Sequence, residues 1–203
     1  MSETIALVLF HIGGVLGSNG WDREQRAAAI EAFHLDEEDF QYRHEETVGA
    51  FEVGQITLDE YLDVTVFCED RAVSRDEFKA FMFAQSVPWE ASIAVARDLA
   101  RAGNVQMATL NNEGEELNRY RIRAFGLRDI FPTFFTSCWL GVRKPVRDIY
   151  QRVLGMTQAD PRRVLFIDDR AQNLAPAATL GIQTLQFTNA EKLRQDLSGL
   201  GLL

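Results

Sequence analysis

The strongest constraint on this chain is a repeating alternation of short apolar runs, each closed by polar or glycine-rich residues, with helical periods between them. Residues 5–10 (Ile5-Ala6-Leu7-Val8-Leu9-Phe10) form an unbroken apolar stretch that stops at Gly13-Gly14, the pattern of a strand buried on both faces. It is expected to be the central parallel strand. Similar runs recur at 105–110, 164–167 and 183–187, with a weaker one at 133–138. Between them, residues 92–101, 115–125 and 171–180 carry helical periods that run into Gly103, Gly126 and Gly181, glycines suited to left-handed C-terminal caps. Strands alternating with helices of this length predict a doubly wound, Rossmann-like parallel sheet in an α/β domain.

Residues 21–84 break the alternation. Their apolar positions, among them Ala28, Phe33, Leu35, Phe40, Tyr61, Leu62, Val66, Phe78, Phe81 and Met82, fall at helical spacings. Thr57 with Glu60, and Ser74 with Glu77, have capping-box spacing. Asp36-Glu37-Glu38-Asp39 suits the positive end of a helix dipole better than a binding patch. Pro88 marks the return to the alternating pattern. The expected organisation is a core of residues 1–17 and 88–203 with an inserted helical bundle, residues 18–87, lying over the end of the first strand.

The 203 residues, 46% hydrophobic and 25% charged, suffice for one such core plus an insertion and bury an ordinary interior. A formal charge of −9 disfavours nucleic acid and anionic membranes as partners. Cys68 and Cys138 form no C-x-x-C pair, so neither a disulfide framework nor a zinc site is expected. The N-terminal apolar run is too short for a signal peptide or membrane span, and cytoplasmic residence is the expectation. Oligomeric state stays open between monomer and homodimer.

In an open parallel sheet the loops after the strands converge on one crevice. Here they carry His11-Ile12-Gly13-Gly14, Asn111-Asn112-Glu113-Gly114, Arg143-Lys144-Pro145 and Asp168-Asp169-Arg170. Paired aspartates supply hard oxygen ligands for Mg²⁺, a lysine supplies a point charge to phosphoryl oxygens, and glycines such as Gly14 let backbone N–H groups approach an anion. Singly, each has a plain alternative: a surface lysine, a turn asparagine, a helix-capping aspartate. Their ordered placement after successive strands favours one site.

These residues resemble the four motifs of the haloacid dehalogenase superfamily, in its phosphatase-like branch with a small helical cap. Phe10-His11-Ile12-Gly13-Gly14-Val15-Leu16 is similar to the first motif, Leu110-Asn111-Asn112 to the second, Lys144-Pro145 to the third, and Phe166-Ile167-Asp168-Asp169 with Asn173 to the fourth; residues 54–61 are similar to a segment of the cap. The resemblance implies a Mg²⁺-dependent phosphatase of small phosphorylated metabolites that works through an aspartyl-phosphate. It further implies Asp169 as direct metal ligand, Asp168 as a nearby or water-mediated one, and the Gly13 carbonyl as a third. Asn111, Asn112, Gly14 and Lys144 would hold the phosphoryl group, with Lys144 neutralising it. Dehalogenation fits this metal–phosphate set less well.

The chain departs from the pattern at three positions. His11 stands in the nucleophile slot, Gly13 in the acid/base slot, and Asn111 where serine or threonine is usual. The last is mild, because an amide N–H also donates to phosphate. Loss of the acid/base residue removes help typically worth about 10²–10⁴-fold in rate. His11 matters most, because imidazole supplies no carboxylate oxygen to attack phosphorus and bridge Mg²⁺. Three readings stay open: a hydrolase inactivated at position 11, an enzyme using a phosphohistidine or a softer metal, and a non-catalytic protein that binds a phosphorylated ligand or a partner. In a dead site, His11 is expected to be satisfied by a nearby carboxylate such as Asp169. His34 and His44 are expected to be structural; Trp21 and Asp22 either line the crevice from the cap side or serve packing and helix capping.

Overall fold

The computed structural model describes residues 4–203. Five parallel strands form its sheet: β1 (Leu7–Phe10), β2 (Gln106–Asn111), β3 (Thr133–Thr136), β4 (Val164–Asp168) and β5 (Gln183–Gln186), in the spatial order β3-β2-β1-β4-β5. The all-apolar run is the middle strand, as its two buried faces require. It is flanked in register by β2 (Leu9 opposite Ala108) and β4 (Leu9 opposite Phe166). Alternate residues of β1 serve opposite faces: Val8 and Phe10 join one apolar cluster with Ile93, Leu99 and Phe131, while Leu7 and Leu9 join another with Ile149, Tyr150 and Phe166.

The helical insertion contains α1 (Arg23–Phe33), α2 (Glu37–Glu52), α3 (Leu58–Thr65) and α4 (Arg75–Ala84). Both expected capping boxes are formed, at Thr57 with Glu60 and at Ser74 with Glu77, and Asp36 to Asp39 open α2 with their charges in its first turn. The four helices gather their own apolar cluster around Phe40, Tyr61, Leu62 and Phe78, which reaches Leu117 on the sheet side of the molecule. The chain leaves and re-enters the sheet layer side by side. Ser18 N donates to Val87 O at 2.9 Å, and Trp89 N to Leu16 O at 2.9 Å.

After the insertion come α5 (Glu90–Ala102), α6 (Glu115–Ala124), a short α7 (Ser137–Leu140), α8 (Arg147–Thr157), α9 (Ala171–Thr179) and α10 (Ala190–Gly199). Gly103, Gly126 and Gly181 all take positive φ beyond helix ends, as expected. The weak run at 133–138 splits: its first four residues form the edge strand β3, and Ser137 and Cys138 turn into α7. Helix α8 lacks the glycine signal, and α10 runs into Gly201, also at positive φ. The first is capped by Gln158 in a left-handed conformation (φ 53°), and the second is announced by the Asn189 N-cap, which accepts from Lys192 N. Trp89 and Trp139 are exposed.

Candidate functional site

The carboxyl ends of the strands open under the helical insertion into a cavity of about 450 Å³. His11, Gly13, Asn111, Asn112, Lys144 and Asn173 line its floor, and Trp21, Arg26, His44 and Phe51 line it from the helical side.

His11 extends the central ladder by one residue, its N donating to Ile167 O at 2.9 Å. The ring is buried, and its Nδ1 has no hydrogen-bond partner among the described residues. Burial, reinforced by the nearby charge of Lys144, pushes its pKa down to about 3, so the ring is neutral at pH 7. The expected carboxylate partner is therefore a correction: Asp169 does not satisfy His11, and Asp169 Oδ1 is itself buried without a partner. Burial and the adjacent Asp168 push the Asp169 carboxyl above its ordinary range.

Asp168 and Lys144 form the hardest contact of the floor. Both side chains are 0% exposed, with Lys144 Nζ 2.6 Å from Asp168 Oδ2. Lys144 Nζ also donates to Leu110 O at 3.0 Å, while Asp168 accepts from Asn173 Nδ2 and from Arg170 N at 2.9 Å. Burial alone would raise the Asp168 carboxyl; the Lys144 ammonium and these donors hold it below the usual carboxylate range. Asn112 acts one layer further out. Its Oδ1 accepts from Lys144 N and its Nδ2 donates to Lys144 O, each at 2.8 Å, so both side-chain groups are taken up in holding the lysine backbone. Asn111 Nδ2 likewise donates to Glu113 Oε2 at 3.0 Å and to Asn118 Oδ1 at 3.4 Å.

The two glycines of the first loop are tight for different reasons. Gly14 has φ +72°, and a Cβ there would fall 2.5 Å from Asp169 Oδ2; only glycine lets that carboxylate pack against the loop. A Cβ at Gly13 would meet Asn19 Oδ1 at 3.2 Å and Arg121 Nη1 at 3.6 Å. Arg121 pairs with Glu113 at 2.7 Å, both almost fully buried, and donates to Ser18 O at 2.5 Å.

Arg121 carried no signal of its own in the sequence, where it reads as one ordinary charge of α6; Glu113, Arg143 and Arg170 lie in the strand-end loops, but nothing in the sequence assigned them a role. Arg143 reaches across to Glu52 of α2 at 2.7 Å, and Arg170 pairs with Asp22. His44 is a buried cavity residue and not the incidental histidine its helical context suggested; His34 is an exposed left-handed cap. Trp21 and Asp22 do both things anticipated for them: they line the cavity, and Asp22 caps α1.

A parallel sheet of this order, with a helical insertion after its first strand and a lysine–aspartate pair at its carboxyl edge, defines a doubly wound α/β domain with a site at its strand ends. The chain matches the family model for haloacid dehalogenase-like hydrolases over residues 5–181 and belongs to that family. A 68-residue stretch is 43% identical to flavin mononucleotide hydrolase 1, chloroplastic, of Arabidopsis thaliana, covering 34% of this chain and 28% of that protein. A 123-residue stretch is 30% identical to bifunctional epoxide hydrolase 2 of Rattus norvegicus, covering 59% of this chain and 22% of that protein. The match thus spans under a third of each relative's own length. A solved HAD family enzyme of Bacteroides thetaiotaomicron shares the fold with a TM-score of 0.80 at 23% identity, covering 92% of this chain and 95% of that one. Its complex with magnesium and inorganic phosphate gives 0.74 at 23% identity, covering 91% and 94%.

The resident metal implied by the family resemblance is Mg²⁺, which wants anionic oxygens in near-octahedral array. Asp169 Oδ1 is a free, buried oxygen of the right kind. The other two positions differ: Asp168 is consumed by Lys144 and Asn173, and position 11 presents a nitrogen. Among the described residues no group of three His, Cys, Asp or Glu side chains is gathered as a ligand set. The residues present do not fit a Mg²⁺ bridged by a nucleophilic carboxylate.

Proposed function

We propose that this chain binds a small phosphorylated metabolite on the floor of the cavity and that aspartyl-phosphate turnover is silenced at His11. In this reading residues 18–87 act as a cap over a core of residues 1–17 and 88–203. The observation that carries it is the state of the His11 ring: buried, neutral, and seated at the end of the central strand beside Lys144 and Asp168. A neutral imidazole has no carboxylate oxygen with which to form the acyl-phosphate.

Phosphate binding draws on Lys144, on the peptide N–H groups of the loops that carry Gly13, Asn111 and Asn112, and on the arginines that face the cavity; the Gly14 N–H, expected to take part, is instead donated to Gly17 O at 2.8 Å. It is also supported by the likeness to a flavin mononucleotide hydrolase, whose named substrate is a phosphomonoester, and to a fold relative solved with inorganic phosphate. With nitrogen at position 11, Mg²⁺ binds more weakly than it would beside a carboxylate there. The chain's negative charge argues against nucleic acid and anionic membrane as partners. No helix among the described residues is long and apolar enough to cross a membrane. Cys68 and Cys138 are free thiols, in keeping with cytoplasmic residence.

One observation favours a second reading. His11 Nδ1 is unpartnered and the ring unprotonated, which is the state in which an imidazole accepts a phosphoryl group. A paired assay separates the two. The chain and its His11→Asp variant are compared on sugar phosphates and an aryl phosphate with Mg²⁺. Activity appearing only in the variant is expected. Comparable activity in both, together with an acid-labile phosphoenzyme in the unmodified chain, would replace the first reading with the second. Silence in both, with phosphate still raising the melting temperature, would leave a binding protein without latent catalysis.

A further inference from the structure

The helical side of the cavity holds a second set of donors whose arrangement follows from two contacts among three rings. Trp21 Nε1, which can only donate, lies 2.9 Å from Tyr61 Oη. The single phenolic proton of Tyr61 is assigned to His44 Nδ1, at 2.7 Å, the stronger acceptor of its remaining neighbours, the other being the Thr65 hydroxyl. That fixes the tautomer. His44 is buried and its pKa is pushed down to about 4 by burial and by the charge of Arg26, so the neutral ring carries its proton on Nε2. This is the one polar atom that it has left to offer, on a residue that lines the cavity.

Arg26 supplies the charge. Its Nε donates to Gln41 Oε1 at 3.0 Å and its Nη1 to Trp21 O at 3.1 Å, both uncharged acceptors that hold the guanidinium at the cavity wall. Every other cation lining the cavity already has a carboxylate: Arg121 has Glu113, Arg143 has Glu52, Arg170 has Asp22 and Lys144 has Asp168. Arg26 has an ion pair with none among the described residues. Asp22 and Glu45 act on it only from a distance, and Asp22 is already bound to Arg170 and to the first turn of α1. A cation drawn partly out of water and left without an anion is costly unless a ligand completes it.

We propose that Arg26 and the Nε2–H of His44 form a second anion subsite, so that the ligand is a small molecule with a phosphoryl group at one end and a carboxylate or second phosphate at the other. The phosphoryl end rests on the function proposed above; the distal anion rests on these residues alone. A cavity of about 450 Å³ lies in the range that encloses compounds of this size.

Calorimetric titration of the full chain tests the subsite with four probes: inorganic phosphate, glycerol phosphate, phosphoglycerate and propanediol bisphosphate. Glycerol phosphate and phosphoglycerate differ at the distal end by hydroxymethyl against carboxylate. Phosphoglycerate, the bisphosphate or both are expected to bind at least about tenfold more tightly than glycerol phosphate, since charge-assisted bonds are the stronger ones; which of them does so identifies the second anion. Arg26→Gln and His44→Gln should each reduce that preference, Arg26→Lys should retain part of it, and inorganic phosphate should bind all four proteins alike. Thermal melts of each variant establish that it is folded. Equal binding of all the esters, or a preference that survives both glutamine variants, overturns the subsite. If inorganic phosphate and glycerol phosphate fail to bind while phosphoglycerate binds in an Arg26-dependent way, the phosphoryl reading of the floor falls and the subsite stands.

Discussion

The floor and the helical side of the cavity are both built from charged and hydrogen-bonding residues, and they differ in how those groups are satisfied. On the floor the charges neutralise one another in full burial: Lys144 with Asp168, and Glu113 with Arg121. What stays free there is a neutral imidazole nitrogen and one oxygen of Asp169. On the helical side the contacts at the rim are half-exposed, as in Arg143 with Glu52, and Arg26 has no carboxylate partner among the described residues. A floor of this kind is closed by its own buried ion pairs. The opposite wall can be altered at little cost and keeps an unmet charge to offer a ligand.

The largest expected effect tests that contrast directly. Lys144→Met leaves Asp168 buried and without its cation, which should cost about 3–5 kcal/mol because an uncompensated charge is stranded in the interior. Arg143→Met breaks an ion pair open to water on both sides and should cost less than about 1 kcal/mol. Urea unfolding of the two variants gives the comparison. Similar losses would mean that the rim pair is as structural as the floor pair.

Acid titration gives the next effect. In the unfolded chain His11 and His44 titrate near their ordinary value of about 6.5, whereas in the fold His11 is held at about 3 and His44 at about 4. Below pH 6.5 the unfolded state therefore binds more protons than the native state. The stability these rings allow is complete above pH 6.5 and is lost progressively as pH falls toward 3 for His11 and 4 for His44. A tenfold difference in proton affinity between the two states corresponds to about 1.4 kcal/mol, so the loss is on the order of a few kcal/mol. His11→Asn should flatten the stability profile between pH 6 and 4 more than His44→Gln does. A profile unchanged by His11→Asn would mean that the His11 ring is far less isolated from water than its position in the fold implies.

The two sides also differed in legibility. The strands were readable because a parallel sheet buries both faces and leaves continuous apolar runs, and its carboxyl ends then named His11, Asn111, Lys144, Asp168 and Asp169 as neighbours before any geometry was known. What those residues do to one another was not readable. That Asn112 is taken up by the Lys144 backbone, or that Asp169 leaves His11 unsatisfied, depends on side-chain directions that no spacing encodes. The helical side was legible as helices, from the Thr57 and Ser74 capping boxes, but not as a site. Arg26 and His44 lie on different helices, α1 and α2, and are joined through Trp21 and Tyr61, four positions spread over three elements and the loop before them. The same is true of Arg121: one helical arginine among several, until α6 turns it against Gly13.

The loop at the floor should tolerate substitution less well than glycines of similar conformation elsewhere. Gly14→Ala meets both a positive φ and the Asp169 carboxylate at 2.5 Å, whereas Gly126 has φ +62° with nothing within 4 Å of its absent Cβ. The left-handed conformation alone costs about 1–2 kcal/mol for an alanine. Gly126→Ala should show only that, and Gly14→Ala should exceed it, with the excess falling when Asp169→Ala removes the obstructing group. An equal cost at both positions would place Asp169 away from the loop.

The smallest effect lies in the helical insertion. Thr57 caps α3 in a complete box with Glu60, and the next residue, Leu58, donates its N–H to Glu116 Oε1 of α6 at 3.1 Å. Thr57→Ala removes one side-chain acceptor at a solvent-exposed helix start, a change worth about 1 kcal/mol, or roughly 2–4 °C in melting temperature for a chain of this size. Because Tyr61, which orients His44, stands on this same helix, fraying of its first turn should weaken binding of a ligand with a distal anion while leaving inorganic phosphate binding unchanged. If both weaken together, floor and helical side respond as one unit, and the closed floor is less independent of its cover than the buried Lys144–Asp168 pair makes it.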